Sequence, residues 1–146
     1  LKTKKESSSM PQASNFNQNM IRAVSLLSGG LDSTLAVKLI LEQGIAVSGL
    51  NFITPFCTCT KRGCLNQAKK VADRFGIELE IIHLKEEYIE IVKNPRYGYG
   101  KNMNLCIDCR IFMFSKAREY MEEVGALFVF TGEVLGERPM SQTKRR

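Results

Sequence analysis

Two short runs carry the residues of this chain that could do chemistry. The first is SGGLDS, residues 28–33, where two glycines stand between a hydroxyl, a carboxylate and a second hydroxyl. The second is CIDC, residues 106–109, with two thiols three positions apart. Gly29 and Gly30 can take backbone angles closed to other residues, and without side chains they let an oxyanion reach backbone N–H groups. A helix starting just behind them adds its partial positive charge. Ser28 and Ser33 can donate further hydrogen bonds. Asp32 makes little sense against bare phosphate but good sense as a ligand for a Mg²⁺ that bridges phosphates. Cys106 and Cys109 fall one turn apart at the start of a second helix, a setting that lowers thiol pKa and favours the reactive anion.

These runs need elements to position them. IRAVSLL, 21–27, is short, apolar and bounded by turn residues, as a buried strand should be. A helix over 32–43 follows, with Leu35, Leu39 and Ile40 at helical spacing and Gly44 as its stop. Strands are expected at 45–53, 77–84 and 127–131, and helices at about 64–75, 85–93 and 106–124. The last helix carries Ile107, Ile111, Phe114, Ala117, Met121 and Val124 as one apolar stripe, read as core. Strands alternating with helices predict an α/β domain with a doubly wound parallel sheet, because parallel neighbours need crossover connections. In such a sheet the first strand-to-helix turn commonly lies at the ligand crevice, and SGGLDS occupies that turn.

The chain has 146 residues, a net charge of +6 and five cysteines. That length suits one domain. The charge favours polyanionic partners without singling out nucleic acid. No apolar stretch approaches the roughly 20 residues that cross a bilayer. Residues 1–19 read as a flexible leader or a cloning remnant, and 20–146 as the folded domain. Without an export signal the expected compartment is the cytoplasm, where thiols stay reduced, metal-bound or catalytic. SQTKRR at the far end looks like a helix start capped by Ser141, with no helix body or fifth strand after it. The sheet thus reads as truncated after its fourth strand: a fragment of a longer protein, or a chain completed by a partner such as a second copy in a homodimer.

SGGLDS resembles the pyrophosphate-binding loop of the PP-loop ATP pyrophosphatases, which cleave ATP between the α- and β-phosphates and leave AMP on a substrate oxygen. CIDC, together with Gly132, Glu133, Leu135, Gly136, Ser141 and Gln142 of the run after the fourth strand, resembles the tRNA thiouridylase branch, the 2-thiouridylases and 4-thiouridine synthetases. The resemblance implies an adenine nucleotide alpha hydrolase-like, Rossmann-like three-layer sandwich. It also implies ATP and Mg²⁺ as cofactors, tRNA as partner, and a sulfur donor such as a cysteine desulfurase or sulfur carrier. By the same resemblance Ser28, Gly29, Gly30, Asp32, Ser33, Gly132 and Glu133 would hold ATP or pyrophosphate. Cys109 would carry sulfur as a persulfide with Cys106 as its partner, or the reverse order.

CTCTKRGC sets Cys57, Cys59 and Cys64 in one loop, candidate ligands for Zn²⁺ or an iron–sulfur cluster, or small buried side chains. His83 reads as structural rather than as a general base. Asn51 and Phe52 end the second strand, where this fold usually meets adenine through its backbone. Arg96, Tyr97, Tyr99 and Lys101 are interleaved in a loop suited to phosphate pairing and base stacking, or simply mobile. Two other readings stay open: a PP-loop enzyme such as a 7-cyano-7-deazaguanine synthase, and an ATP-binding module without chemistry.

Overall fold

The computed structural model describes residues 20–57, 63–99 and 106–136, with the backbone alone for Cys64 and Cys106. Its elements are β1 (Arg22–Leu26), α1 (Leu31–Glu42), β2 (Ala46–Ile53), α2 (Cys64–Phe75), β3 (Leu79–His83), α3 (Glu86–Lys93), α4 (Cys106–Glu123) and β4 (Phe128–Thr131). They agree with the expected elements to within a residue or two at the ends, where helices and strands fray. Lys101, Ser141, Gln142, Cys59 and the leader 1–19 fall outside the described residues.

The four strands form one parallel sheet in the order β3-β2-β1-β4. β1 has a neighbour on each side, and Ala23, Val24 and Ser25 at its centre are completely covered. Successive strand residues point to opposite faces, so two cores form. On one face Leu27 and Val47 pack with Val37 of α1 and Ala68 of α2. On the other, Val24 and Leu50 pack with Ala117 of α4 and Ala126. Helices therefore cover both faces, which gives the three-layer doubly wound arrangement. The chain moves outward from β1 to β3 across one face and returns to β4 across the other. Strand order reverses between β1 and β4, which sets a crevice at their carboxyl ends.

Two apolar stripes differ from expectation. α1 buries Ser33 and Val37, with Ile40 and Leu41 against the core, while Leu35 and Leu39 stay exposed. Apolar residues lie on several sides of this helix, so spacing alone did not select the buried side. In α4 the stripe is core only in its second half. Ala117, Met121 and Val124 meet the sheet, whereas Ile111 is 51% and Phe114 37% exposed. The first turns of α4 are instead engaged with α3, the 94–99 loop and the turn after β4 through Phe112, Asp108 and Arg110. Among the described residues no helix is long and apolar enough to cross a membrane.

Candidate functional site

A cavity of about 350 Å³ opens at the carboxyl ends of β1, β2 and β4, at the reversal of strand order. Ser28, Gly30, Asp32 and Ser33 form one wall, Asn51 and Phe52 another, and Gly132 and Glu133 a third. Eight residues singled out in the sequence, from three separate segments, thus meet around one space.

The SGGLDS turn is held by its own hydroxyls. Ser33 Oγ donates to the Gly30 carbonyl at 3.0 Å, so the 3.1 Å contact between the serines is completed by the Ser28 proton. Ser28 Oγ in turn accepts from the Gly30 N–H at 3.3 Å. Thr34 Oγ1 also donates to the Gly30 carbonyl, at 2.7 Å. Gly30 caps α1 in an extended conformation, and, having no side chain, it makes no side-chain bond to the first N–H groups of the helix. Those donors and the helix dipole create a local preference for an anion. Asp32 lies in the first turn and is exposed.

The two glycines do different things. Gly29 has φ +80°, and a Cβ there would stand 2.5 Å from the Ala68 amide nitrogen, so its bareness lets α2 approach the turn. It is not among the residues lining the cavity. Gly30 has ordinary dihedrals, and a Cβ there would meet only Ser28 Oγ, at 3.5 Å. The fold itself therefore tolerates alanine at 30. Gly30→Ala is expected to melt within a few degrees of the parent, since a cap change of this kind costs about 1 kcal/mol or less. Its ATP affinity in a calorimetric titration should nonetheless fall at least about tenfold, because the methyl crowds the N–H groups an oxyanion must reach. Unchanged affinity would remove the turn from phosphate binding.

Asn51 has a role that its sequence context did not show. Its side-chain amide donates to the Leu27 carbonyl at 2.7 Å, inside the protein, and so fixes the residue from which the turn departs. The other atom of that carboxamide, Oδ1, is buried and has no hydrogen-bond partner among the described residues. His83 ends β3, exposed and away from the cavity lining.

α4 brings the thiol to the same place. Cys109 is a reduced, half-buried thiol in the first turn of the helix. Its Sγ accepts a hydrogen bond from the Tyr88 hydroxyl at 3.3 Å and contacts the Met113 sulfur at 4.0 Å. Met113 itself lines the cavity, so Cys109 lies one side chain from it. Next to it, Arg110 forms an ion pair with Glu133 that ties α4 to the turn after β4. Asp108, 8% exposed, accepts the backbone N–H groups of Arg96 and Tyr97 at 3.0 and 3.1 Å. It thereby clips the 94–99 loop to the CIDC turn.

Bonds to an ionised acceptor are stronger than neutral ones. Asp108→Ala removes two of them and strands two amides. The expected cost is about 2–3 kcal/mol in a urea melt, with faster hydrogen exchange confined to 94–99.

The loop offers Tyr97 at 56% exposure, with the Arg96 guanidinium 5.9 Å from its ring centre. Tyr99, by contrast, uses its hydroxyl to bond the Val92 and Lys93 carbonyls at the end of α3. Cys57 is in a disulfide, a state in which its sulfur is not a thiolate, so ligation by Cys57, Cys59 and Cys64 requires reduction first. Among the described residues no cluster of three or more metal-ligating side chains forms. Tyr88, Asp108, Arg110 and Met113 escaped the sequence reading. Their partners lie in other elements, and none belongs to a run with a recognisable period.

The chain is similar to two tRNA-specific 2-thiouridylases MnmA. It is 35% identical to that of Syntrophotalea carbinolica over 114 residues, covering 73% of this chain and 32% of the relative. It is 33% identical to that of Coxiella burnetii over 132 residues, covering 83% of this chain and 35% of the relative. Among solved structures, a 4-thiouridine synthetase–RNA complex with bound ATP superposes with TM-score 0.65 at 27% identity. That match covers 84% of this chain and 32% of the other. The chain spans about a third of the length of these curated relatives. A family model described as "Thiamine biosynthesis protein (ThiI)" matches residues 19–145, nearly the whole sequence. Fold, cavity and sequence relationship agree, and the chain belongs to the ThiI family, on the thiouridylase side of the PP-loop resemblance.

Proposed function

We propose that this domain works in an ATP-dependent tRNA thiouridylase, replacing a uridine carbonyl oxygen by sulfur. One observation carries the reading: a phosphate-type turn borders a cavity whose Met113 wall touches the Cys109 thiol, from a segment distant in sequence. Oxygen is a poor leaving group, so the carbonyl must be activated first. The uridine oxygen attacks the α-phosphorus of ATP, an O–P bond forms, and the bond to the β-phosphate bridging oxygen breaks. The departing pyrophosphate sits in the 28–33 turn, where N–H groups and serine hydroxyls take up its charge. A persulfide sulfur on Cys109 then attacks the activated carbon, and AMP leaves with the former carbonyl oxygen. The Cys106 thiolate then attacks Cys109 Sγ, the bond from Cys109 Sγ to the transferred sulfur breaks, and the thiolated uridine leaves behind a Cys106–Cys109 disulfide. A thiol reductant returns both cysteines to thiols, and a sulfur donor such as a cysteine desulfurase or sulfur carrier then reloads Cys109 with sulfane sulfur.

Asp32, an exposed carboxylate on the cavity wall, suits a Mg²⁺, which takes one or two carboxylates alongside phosphate oxygens. Mg²⁺ bound there with ATP supplies charge neutralisation. Asn51 and Phe52 line the cavity, and the adenine is assigned to that wall. The Arg96–Tyr97 pair, clipped beside CIDC, suits stacking against an unpaired base.

The test is incubation of the full-length protein with ATP, a sulfur source and unmodified tRNA, followed by nucleoside mass spectrometry. A thiolated uridine supports the reading. No thiolated nucleoside, with AMP formation indifferent to tRNA, overturns it. Turnover of a free deazaguanine substrate, or ATP binding without pyrophosphate release, would point to the two alternatives.

A further inference from the structure

We propose that Tyr88 is a positioning residue that sets the ionisation of Cys109, a role that rests on Cys109 being the sulfur carrier. The Tyr88 hydroxyl donates to Cys109 Sγ at 3.3 Å. The phenol is 8% exposed, and its ring stands between Phe56 and Phe112, with centroids 6.2 and 6.3 Å away. Two aromatic neighbours and burial hold the ring, and with it the phenol oxygen, in place beside the sulfur. An O–H donor stabilises an anionic acceptor more than a neutral one, so this bond favours thiolate over thiol. The position of Cys109 in the first turn of α4 acts in the same direction.

The charged groups on the elements packed around the sulfur are largely committed to one another. On α3, Glu87 pairs with Lys116 of α4, and Glu90 with Lys93. Lys116 also pairs with Glu119, whose hydrogen bond is the main cause of its raised pKa. On α4, Asp108 accepts the Arg96 and Tyr97 N–H groups and Arg110 pairs with Glu133 of the turn after β4. Arg96 lies over the Tyr97 ring, and Asp32 is on the cavity wall formed by the SGGLDS turn. The Tyr88 hydroxyl is a neutral donor aimed directly at the sulfur.

The readout is the pH dependence of Cys109 alkylation by iodoacetamide, with fragment-ion mass spectrometry separating Cys109 from Cys106. In the native protein the midpoint should fall below that of the urea-unfolded chain, about 8.5 for an unperturbed thiol. Tyr88→Phe keeps the ring and loses the hydroxyl. It should raise the midpoint by about one pH unit and slow alkylation at pH 7 about tenfold, with a melting temperature within a few degrees of the parent. In the thiolation assay the same variant should lose rate at pH 7 and regain it as pH rises, with KM for tRNA unchanged.

Superimposable profiles for Tyr88→Phe and parent overturn the proposal. So does a native midpoint no lower than the unfolded one, a comparison that still decides if the variant fails to fold. Alkylation needs neither ATP nor tRNA. A shifted midpoint without thiolation would therefore count against the function proposed above, and not against the bond between phenol and sulfur.

Discussion

Gly132→Ala is expected to lower the melting temperature by about 10 °C and ATP-dependent pyrophosphate release by about a hundredfold. A Cβ at this position would lie 2.3 Å from the Ser33 amide nitrogen and 2.4 Å from the Asp32 carbonyl carbon. Both are backbone atoms in the first turn of α1, so no side-chain rotation relieves the clash. Either the exit of β4 or the start of the helix must move. Overpacking of this kind costs about 1–3 kcal/mol and sometimes more, and at this chain length each kcal/mol is worth roughly 2–4 °C. The loss of activity should exceed the loss of stability, because displacing catalytic groups by about 1 Å can cost around a hundredfold. Glu133 would be carried along, straining its ion pair with Arg110. Scanning calorimetry and a pyrophosphate-release assay check both effects. A variant that melts and turns over like the parent would show that β4 and the turn do not need to touch.

The second large effect is chemical rather than steric. Cys109→Ser should abolish thiolated nucleoside, by more than about a thousandfold, while pyrophosphate release on tRNA stays within a few-fold of the parent. Serine keeps nearly the same shape and can still accept from the Tyr88 hydroxyl, so the fold should survive. An oxygen cannot carry and release sulfane sulfur as a thiolate can, and activation and sulfur transfer should therefore separate. Assaying both products from one reaction reads this directly. Retained thiolation would move the carrier role to Cys106, the reverse order that the CIDC spacing also allows.

Much of the fold could be read from the sequence because its signals are local. A short apolar run before SGGLDS, an apolar helix behind it and Gly44 in the left-handed conformation after α1 each depend on neighbours within a few residues. The mistakes were about facing. Leu35 and Leu39 share helical spacing with Ile40, yet the core contacts run through Val37, Ile40 and Leu41. Ile111 and Phe114 continue the α4 stripe, yet the helix has already passed from the sheet to the site at that point. Spacing defines a stripe. Which neighbour covers it depends on where the helix is placed.

The same division runs through the site. By itself the sequence determined the turn, the thiol pair and the strand–helix alternation that puts the turn at the carboxyl edge of the sheet. These follow from backbone conformations and periodicities that a few adjacent residues dictate. Only the tertiary structure decided that Gly132 lies against Asp32 and Ser33, that Asn51 anchors Leu27, that Asp108 holds the 94–99 loop and that Tyr88 reaches Cys109. Each of these joins residues far apart in the chain through one hydrogen bond or one missing methyl. Such contacts leave no period in the sequence, and they exist only because opposed crossovers bring β4, α3 and α4 back to the end of β1.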